Sequence, residues 1–376
     1  MNSRIPLVDL AAAHAEIAEE VAAGFAEVLA ATAFVGGPPV AAFEREYAAF
    51  GGVAHCVGVA NGTDAVELAL RAVGVGPGDE VIVPVNTFAA TAEAVARTGA
   101  APVFVDCDRD TCLIDVPAAL AAIRPATKAV VPVHLYGQLA PVEELLAGLA
   151  GSGVRIVEDA AQCQGATRDD RTPGSGPGAI AATSFYPGKN LGAYGDAGAV
   201  LTDDEGLART VRTLASHGGL TKYAHDIVGV NSRLDTLQAV VLRAKLRRLP
   251  EWNAARRAAA AYYDKLLADV EDVGTPTVLA GNEHVWHLYT VQVPARDAVL
   301  ADLEAEGVGA GIHYPVPLHR TGAFATGASF PVAEHIAAHT LSLPLHPHLT
   351  RDQQERVAAA LARALSAHRH PPVKRY

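Results

Sequence analysis

The sequence predicts an α/β protein: a large domain built on a mostly parallel sheet flanked by helices, followed by a smaller C-terminal α+β domain. Two observations carry this prediction. Between about residues 55 and 160, short apolar runs alternate with amphipathic segments and turn residues. That strand–turn–helix–turn–strand order is the βαβ pattern of a parallel sheet. Past residue 250 the pattern changes to isolated strands among helices, so a boundary is placed inside a long helical pattern, giving units 1–250 and 251–376. A chain of 376 residues fits two domains of ordinary size. With 50% hydrophobic and 19% charged residues, it is too apolar for intrinsic disorder and can fill a large core.

The elements follow in order. Residues 12–31 and 39–50 read as amphipathic helices, the second closed by Gly51-Gly52. A strand at 55–60 runs through Asn61-Gly62-Thr63-Asp64 into an apolar-faced helix at 65–73. The turn Gly76-Pro77-Gly78-Asp79 leads to a fully apolar strand at 80–84. Strands at 101–106, 129–134 and 155–159 alternate with helices at 117–123 and 141–150. Shorter strands at 181–185 and 197–202 flank a glycine-rich crossing at 186–196. A helical pattern from Leu234 to about Leu267 is interrupted at Pro250, which lacks an N–H and clashes with the preceding turn. The second unit reads as strands at 285–293 and 311–314, helices at 298–306 and 332–340, and a terminal helix at 351–366. The tail from His368 is expected to fray.

The charge balance excludes some functions. Thirty basic against 41 acidic residues give a net charge of −11, which argues against a nucleic-acid partner. An anionic ligand would need a locally built site. The N-terminus meets acidic residues early and has no signal-peptide pattern, and no stretch is an uncharged apolar run of the ~20 residues a membrane helix needs. Four scattered cysteines form no CxxC pair, so they read as structural, and the expected location is cytoplasmic. The paired histidines His346/His348 and His368/His370 lack a carboxylate or cysteine at zinc spacing, so no metal site is expected.

Three elements carry chemistry. Asp159 ends a buried parallel strand, at the edge where open α/β sheets bind ligands, although an Asp before Ala-Ala-Gln is also an ordinary helix cap. Lys189 lies among Gly188, Gly192 and Gly195, where a lysine can reach inward; a shielded lysine can lose its proton and act as a Schiff-base nucleophile. The Gly62-Thr63 turn opens a helix, and its free N–H groups favour a phosphate. Ser184 adds a hydroxyl that can bind the same group. Asn-Gly and Asp are also common turn residues, so this signal is weak alone.

Together these residues resemble pyridoxal phosphate (PLP) enzymes of the aspartate-aminotransferase fold, fold type I. More narrowly, the chain resembles the DegT/DnrJ/EryC1/StrS family of nucleotide-sugar aminotransferases, almost end to end. The motifs are Asn61-Gly62-Thr63-Asp64-Ala65, Pro84-Val85-Asn86-Thr87-Phe88, Val133-His134-Leu135-Tyr136-Gly137-Gln138, Glu158-Asp159-Ala160-Ala161-Gln162, Ser184-Phe185-Tyr186-Pro187-Gly188-Lys189-Asn190-Leu191-Gly192 and Asn231-Ser232-Arg233-Leu234-Asp235-Thr236-Leu237-Gln238. The resemblance implies that Lys189 binds the cofactor aldehyde and shuttles the proton. It implies that Asp159 keeps the pyridine nitrogen protonated and that Gln162 approaches the ring oxygen O3′. Gly62, Thr63 and Ser184 match phosphate ligands, and Phe88 matches a ring that stacks on the cofactor. Asn231 matches a residue reaching the cofactor phosphate of a neighbouring subunit, which implies a homodimer with shared active sites.

For the substrate, the resemblance implicates Tyr186 and Arg233 at a nucleotide-sugar diphosphate, Arg233 coming from the partner chain, because a guanidinium binds phosphate oxygens bidentately. The resemblance also implies that His313 and Tyr314 face the sugar, and it makes His217, Lys222 and Tyr223, on a glycine-containing loop before Asn231, further candidates for substrate contact. The expected reaction moves an amino group from an amino acid, L-glutamate by analogy, to a nucleotide-linked keto sugar in deoxyamino-sugar biosynthesis. The cofactor alternates between PLP and pyridoxamine phosphate. Gly229-Val230-Asn231-Ser232-Arg233 resembles the subgroup that makes 3-amino sugars, so C3 of a dTDP-3-keto-6-deoxyhexose is expected, with C4 of a dTDP-4-keto-6-deoxyhexose as the alternative. Val85 and Val230 depart from the usual small or polar residues, which bears on the sugar preference. A PLP-fold sugar dehydratase carries a histidine in place of the lysine, so Lys189 argues against that reading. The intact Lys189, Asp159 and Ser184 argue against a non-catalytic regulator.

Overall fold

The computed structural model describes residues 4–176 and 178–368. Two four-stranded ladders form its centre. One is parallel throughout and runs Ala101–Val105, Glu80–Pro84, Thr127–Val130, Arg155–Ile156. The other runs Glu158–Asp159, Ala181–Ser184, Gly198–Thr202, His55–Val59, with Gly198–Thr202 antiparallel to both neighbours. The two meet on one stretch of chain. The Val157 N–H donates to Val130 O at 3.1 Å and the Asp159 N–H to Pro132 O at 2.9 Å, so the sheet continues from Arg155 through Asp159.

Side-chain alternation explains how both faces are filled. Ala181, Ala199 and Leu201 pack with Phe43, Tyr47, Phe185, Leu234 and Leu242, beneath the helices Pro38–Phe50 and Thr236–Leu246. Their neighbours Ala182 and Val200 turn the other way, onto Leu68, Leu70, Val211 and Leu214 of the helices Gly62–Ala72 and Glu205–Ala215. Successive residues of a strand point to opposite faces, and a sheet covered on both must be apolar on both. Phe185 meets the rings of Phe43 and Tyr47 edge-on, at 5.4 and 5.1 Å.

Toward the C-terminus, Tyr289–Gln292 and Thr340–Leu343 pair antiparallel. They pack with Tyr263, Val299, Leu303 and Leu361, from the helices Leu249–Leu267, Arg296–Ala305 and Arg351–His368. Ile5 joins this cluster, because its N–H and C=O pair with Gly307 and Gly309. Leu288, Leu318 and Ile336 pack in turn with Ile82, Val85 and Leu113 of the sheet region.

Several expected elements differ. The first helix is two, Leu10–Ala15 and Ala18–Ala31: Asp9 caps the first, and Ile17 leaves helical backbone between them. The long helical pattern breaks at Arg247-Arg248, and Pro250 sits in the first turn of the next helix, where its missing N–H costs nothing. The expected strand at 311–314 is a single bridge from Gly311 to Ser342, and 285–293 is extended only at Tyr289–Gln292. The helices Ala89–Arg97 and Glu205–Ala215 were not anticipated. The expected fraying tail lies outside the described residues from 369 on. Among the described residues no helix is long and apolar enough to cross a membrane.

Glu158 is buried within the sheet. It accepts from Arg171 Nη1 and Nη2 at 2.8 and 2.5 Å, from the Gly174 N–H at 3.0 Å and from His134 Nε2 at 2.9 Å. His134 Nδ1 is occupied by the Ala140 N–H, which leaves its proton on Nε2 facing Glu158. Burial pushes the Glu158 pKa up, but the bonds from His134 and Arg171 outweigh it and hold the carboxyl at about 2. Removing one partner of such a buried pair is costly. Arg171→Met is expected to lower unfolding free energy by about 3 kcal/mol, read as a fall in the urea midpoint. Because the folded pKa lies below that of an unfolded carboxyl, this stabilisation should fade in wild type as pH falls from about 4.5 toward 2. A variant with the wild-type midpoint at neutral pH would show that the pair contributes nothing net.

Candidate active site

The site gathers where chain leaves the sheet. At the end of His55–Val59, Asn61 caps the helix Gly62–Ala72, its Oδ1 accepting the Asp64 N–H at 2.8 Å. The helix therefore starts earlier than the expected 65–73. Gly62 and Thr63 are its first two residues, and their N–H groups have no helical acceptor. A Cβ on Gly62 would lie 2.5 Å from Ser184 Cβ, so only glycine lets the helix start meet Ser184 this closely. Two free N–H groups and the Ser184 hydroxyl thus share one small region. Behind it, Ser232 Oγ donates to Asp64 Oδ2 at 2.7 Å and accepts the Ala60 N–H at 3.1 Å, pinning the 231–233 segment to the same turn.

Lys189 sits in a tightly tied crossing. Its N–H donates to Tyr186 O at 2.8 Å and the Ala193 N–H to Phe185 O at 2.8 Å. The buried amine of Lys245 donates to Gly192 O at 2.7 Å. A Cβ on Gly192 would lie 2.3 Å from Pro187 O, which explains the glycine there. Burial lowers the Lys189 pKa to about 8, against the pull of the Asp159 charge, so the amine gives up its proton far more readily than an ordinary lysine and roughly a tenth of it is free base at neutral pH.

Asp159 is buried, with Oδ2 accepting from Thr91 Oγ1 at 2.7 Å and Oδ1 from the Ala161 N–H at 3.1 Å. Gln162 is buried one turn on. Its Oε1 accepts the Tyr136 N–H at 2.7 Å and its Nε2 donates to the Tyr314 hydroxyl at 3.0 Å. Tyr314 in turn lies 5.5 Å from the Phe88 ring, which is 55% exposed and open to a partner. Tyr136 donates its hydroxyl to His313 O, and His313 Nδ1 contacts Ser342 Oγ at 2.8 Å. Burial and the nearby Lys189 charge lower the His313 pKa to about 4, so its imidazole is neutral.

The structure therefore brings Gly62, Thr63, Ser184, Asp159, Gln162, Lys189, Phe88, His313 and Tyr314 into one neighbourhood. Tyr186 touches it through its backbone, while its ring is exposed. Asn231 and Arg233 flank buried Ser232 and are themselves exposed. His217, Lys222 and Tyr223 lie on a surface loop, Lys222 over the Tyr223 ring at 5.0 Å, with Tyr223 83% exposed. Among the described residues, no hydrogen bond or ion pair joins the side chains of these last five to the Lys189 group.

Sequence reasoning missed Thr91, Asn190 and His287. His287 Nδ1 contacts Asn190 Oδ1 at 3.3 Å, and burial followed by the Lys189 charge drives its pKa well below the ordinary histidine value. Asn190 adjoins the lysine in the quoted motif, but His287 lies almost a hundred positions away in a segment read only as strand. The spacing of Thr87 and Thr91 was a visible signal for one face of a turn.

A buried lysine of lowered pKa near a buried carboxylate, with an N–H cradle at a helix start, is the arrangement that Schiff-base chemistry on a phosphorylated cofactor requires. Residues 15–362 match the DegT/DnrJ/EryC1/StrS aminotransferase family, and the chain belongs to that family. It is 47% identical to the UDP-N-acetyl-3-dehydro-alpha-D-glucosamine 3-aminotransferase of Acidithiobacillus ferrooxidans, over 97% of this chain and 99% of that one. It is 46% identical to the dTDP-3-amino-3,4,6-trideoxy-alpha-D-glucose transaminase of Streptomyces venezuelae, over 95% of each. The solved structure of S. venezuelae DesV in complex with a ketimine intermediate superposes with a TM-score of 0.95 at 44% identity, covering 98% of this chain and 100% of that one. The expected fold is confirmed: the chain has the fold of PLP-dependent aminotransferases, and it is an aminotransferase.

The close approach at Gly62 makes a direct prediction. Gly62→Ala must push Ser184 or the helix start aside, and cofactor affinity, measured by equilibrium dialysis, is expected to fall at least tenfold while far-ultraviolet circular dichroism stays unchanged. Unaltered affinity would remove the phosphate cradle from this position.

Proposed function

We propose that the chain binds PLP through these residues and moves an amino group from an amino acid, L-glutamate, to the C3 ketone of a nucleotide-linked hexose, a dTDP-3-keto-6-deoxyhexose. The observation that carries the reading is the Lys189 amine, lowered to about 8 by burial and within electrostatic reach of buried Asp159. The names of the relatives above, both describing 3-amino or 3-dehydro sugars, support C3 over C4. They differ in nucleotide, so dTDP and UDP are separated by assay.

When bound, PLP supplies an aldehyde that condenses with amines and a ring that accepts the electron pair left when a proton departs the substrate carbon. The protein supplies the rest. The Gly62 and Thr63 N–H groups and Ser184 would hold the phosphate, and the Asp159 carboxylate would face the ring nitrogen. Gln162 would lie at the ring oxygen, with Phe88 against the ring. Free-base Lys189 would move a proton from the donor's α-carbon to the cofactor's C4′ in one half of the reaction and from C4′ to the sugar carbon in the other, and a pKa near 8 suits both directions. His313 and His287, kept neutral by burial, do not compete as cations for the substrate's negative charge.

The same reading makes the working unit a homodimer with shared sites. Leu220, Tyr223, Ile227 and Val228 are exposed on the loop before Asn231, and Phe34 and Val35 are exposed elsewhere. So much uncovered apolar surface supports a subunit contact. Asn231 and Arg233 would then reach the partner's cofactor phosphate and substrate diphosphate.

Three outcomes are expected. Lys189→Ala abolishes amino transfer, and residual turnover of keto sugar would overturn the assignment. Equal mixing of Lys189→Ala and Asn231→Ala chains under subunit exchange restores about a quarter of the wild-type activity, since half the dimers are mixed and each has one intact site. No recovery would mean that each chain completes its own site. Run in reverse, the enzyme consumes a dTDP-3-amino sugar, and consumption of only the 4-amino or only the UDP-linked compound would overturn the carbon or the nucleotide.

A further inference from the structure

Asp159 Oδ2 accepts from Thr91 Oγ1 at 2.7 Å, and Thr91 Oγ1 lies 2.9 Å from Thr87 Oγ1. Both threonines are buried, Thr91 at 1% exposure. The direction of this chain follows from its end. A carboxylate only accepts, so the Thr91 hydroxyl donates to it. Thr91 has then spent its proton and must accept from Thr87. The order is Thr87 to Thr91 to Asp159, every proton pointing at the carboxylate, and such aligned bonds strengthen one another in a low-dielectric interior. Oδ1 is fixed separately by the Ala161 N–H at 3.1 Å. Each carboxylate oxygen thus has one protein donor and keeps acceptor capacity for another.

We propose that Thr91, backed by Thr87, is a positioning residue that locks the Asp159 carboxylate in a single orientation toward the ring nitrogen of the cofactor. The inference rests on the role proposed above for Asp159. Thr91 touches neither cofactor nor substrate; it acts through the carboxylate. Without its hydroxyl, Oδ2 is left in an apolar pocket with one donor fewer, and the carboxylate is free to rotate about its last bond.

The test compares holoenzymes of wild type, Thr91→Val, Thr91→Ser and Thr87→Val. Thr91→Val keeps the shape and loses the hydroxyl, which has been bonded to a charged group. Its cofactor dissociation constant is expected to rise about tenfold or more. With cofactor labelled with 15N in the ring, its nitrogen resonance should move toward the unprotonated value, a change that a packing defect alone does not produce. Thr91→Ser should recover most of both, and Thr87→Val, which removes only the outer donor, should fall between. Wild-type affinity and an unmoved 15N resonance in Thr91→Val would overturn the proposal, as would a Thr91→Ser variant as impaired as Thr91→Val. If wild type itself bound PLP without a protonated ring nitrogen, the role of Asp159 would fail first, and the proposal with it.

Discussion

Asp159 is the residue at which the two ladders of the sheet join. Its N–H donates to Pro132 O, its C=O accepts from His134 N–H, and on the other side it pairs with Ala182. On that second side the neighbours Glu158 and Ala160 donate to Ile180 O and Ala182 O, so the backbone around Asp159 is held from both edges by sheet hydrogen bonds. A buried carboxylate needs donors, and here they come from three elements: a helix over the sheet (Thr91), the turn that follows the strand (Ala161) and, in the proposed complex, the ring nitrogen. Displacing any of these would leave a polar group unpaired in an apolar core, at a cost of about 1–3 kcal/mol or more.

The neighbouring residue solves the opposite problem. Glu158 precedes Asp159, so the alternation of a strand sends the two carboxylates to different faces. Glu158 is saturated by Arg171, His134 and Gly174 and has nothing left to offer a ligand. Asp159 is held by hydroxyl and amide, and among the described residues no guanidinium bonds to it. Its unspent negative charge acts on Lys189 from a distance, opposing the burial that frees the amine. Adjacent acids thus do different work because of what packs on each face. One stabilises the sheet, and the other is available for chemistry.

Much of this was legible beforehand because the motifs are local. Gly62, Ser184, Asp159 and Lys189 each end or follow a strand, and the βαβ order places strand ends on one edge. Other features depend on contacts between distant segments. The need for glycine at 62 arises from Ser184, more than a hundred residues on, and cannot be seen within Asn-Gly-Thr-Asp itself. His287 and Asn190 meet across the same kind of gap. The helix Ala89–Arg97 is hard to read because its many alanines give weak periodicity, yet it delivers Thr91, its one threonine. The helix break near Pro250 was expected for the right reason at the wrong place. Proline is well tolerated in a first turn, so the chain ends one helix before it and starts another with it.

Charge completes the picture. The chain carries an excess of acid, yet the proposed ligands are a phosphate and a diphosphate. The two sites meet that conflict differently. For the cofactor phosphate, the donors are backbone N–H groups at a helix start, which carry partial positive charge whatever the side chains around them do. For the substrate diphosphate, the candidate is the exposed guanidinium of Arg233, on a segment fixed to the Gly62 turn through Ser232. A cation at the surface of an acidic protein is screened by solvent and salt, so it binds weakly alone. Covering it with a second chain would remove that screening and turn a surface arginine into a binding group. The proposed subunit contact would then contribute to substrate affinity as well as to assembly.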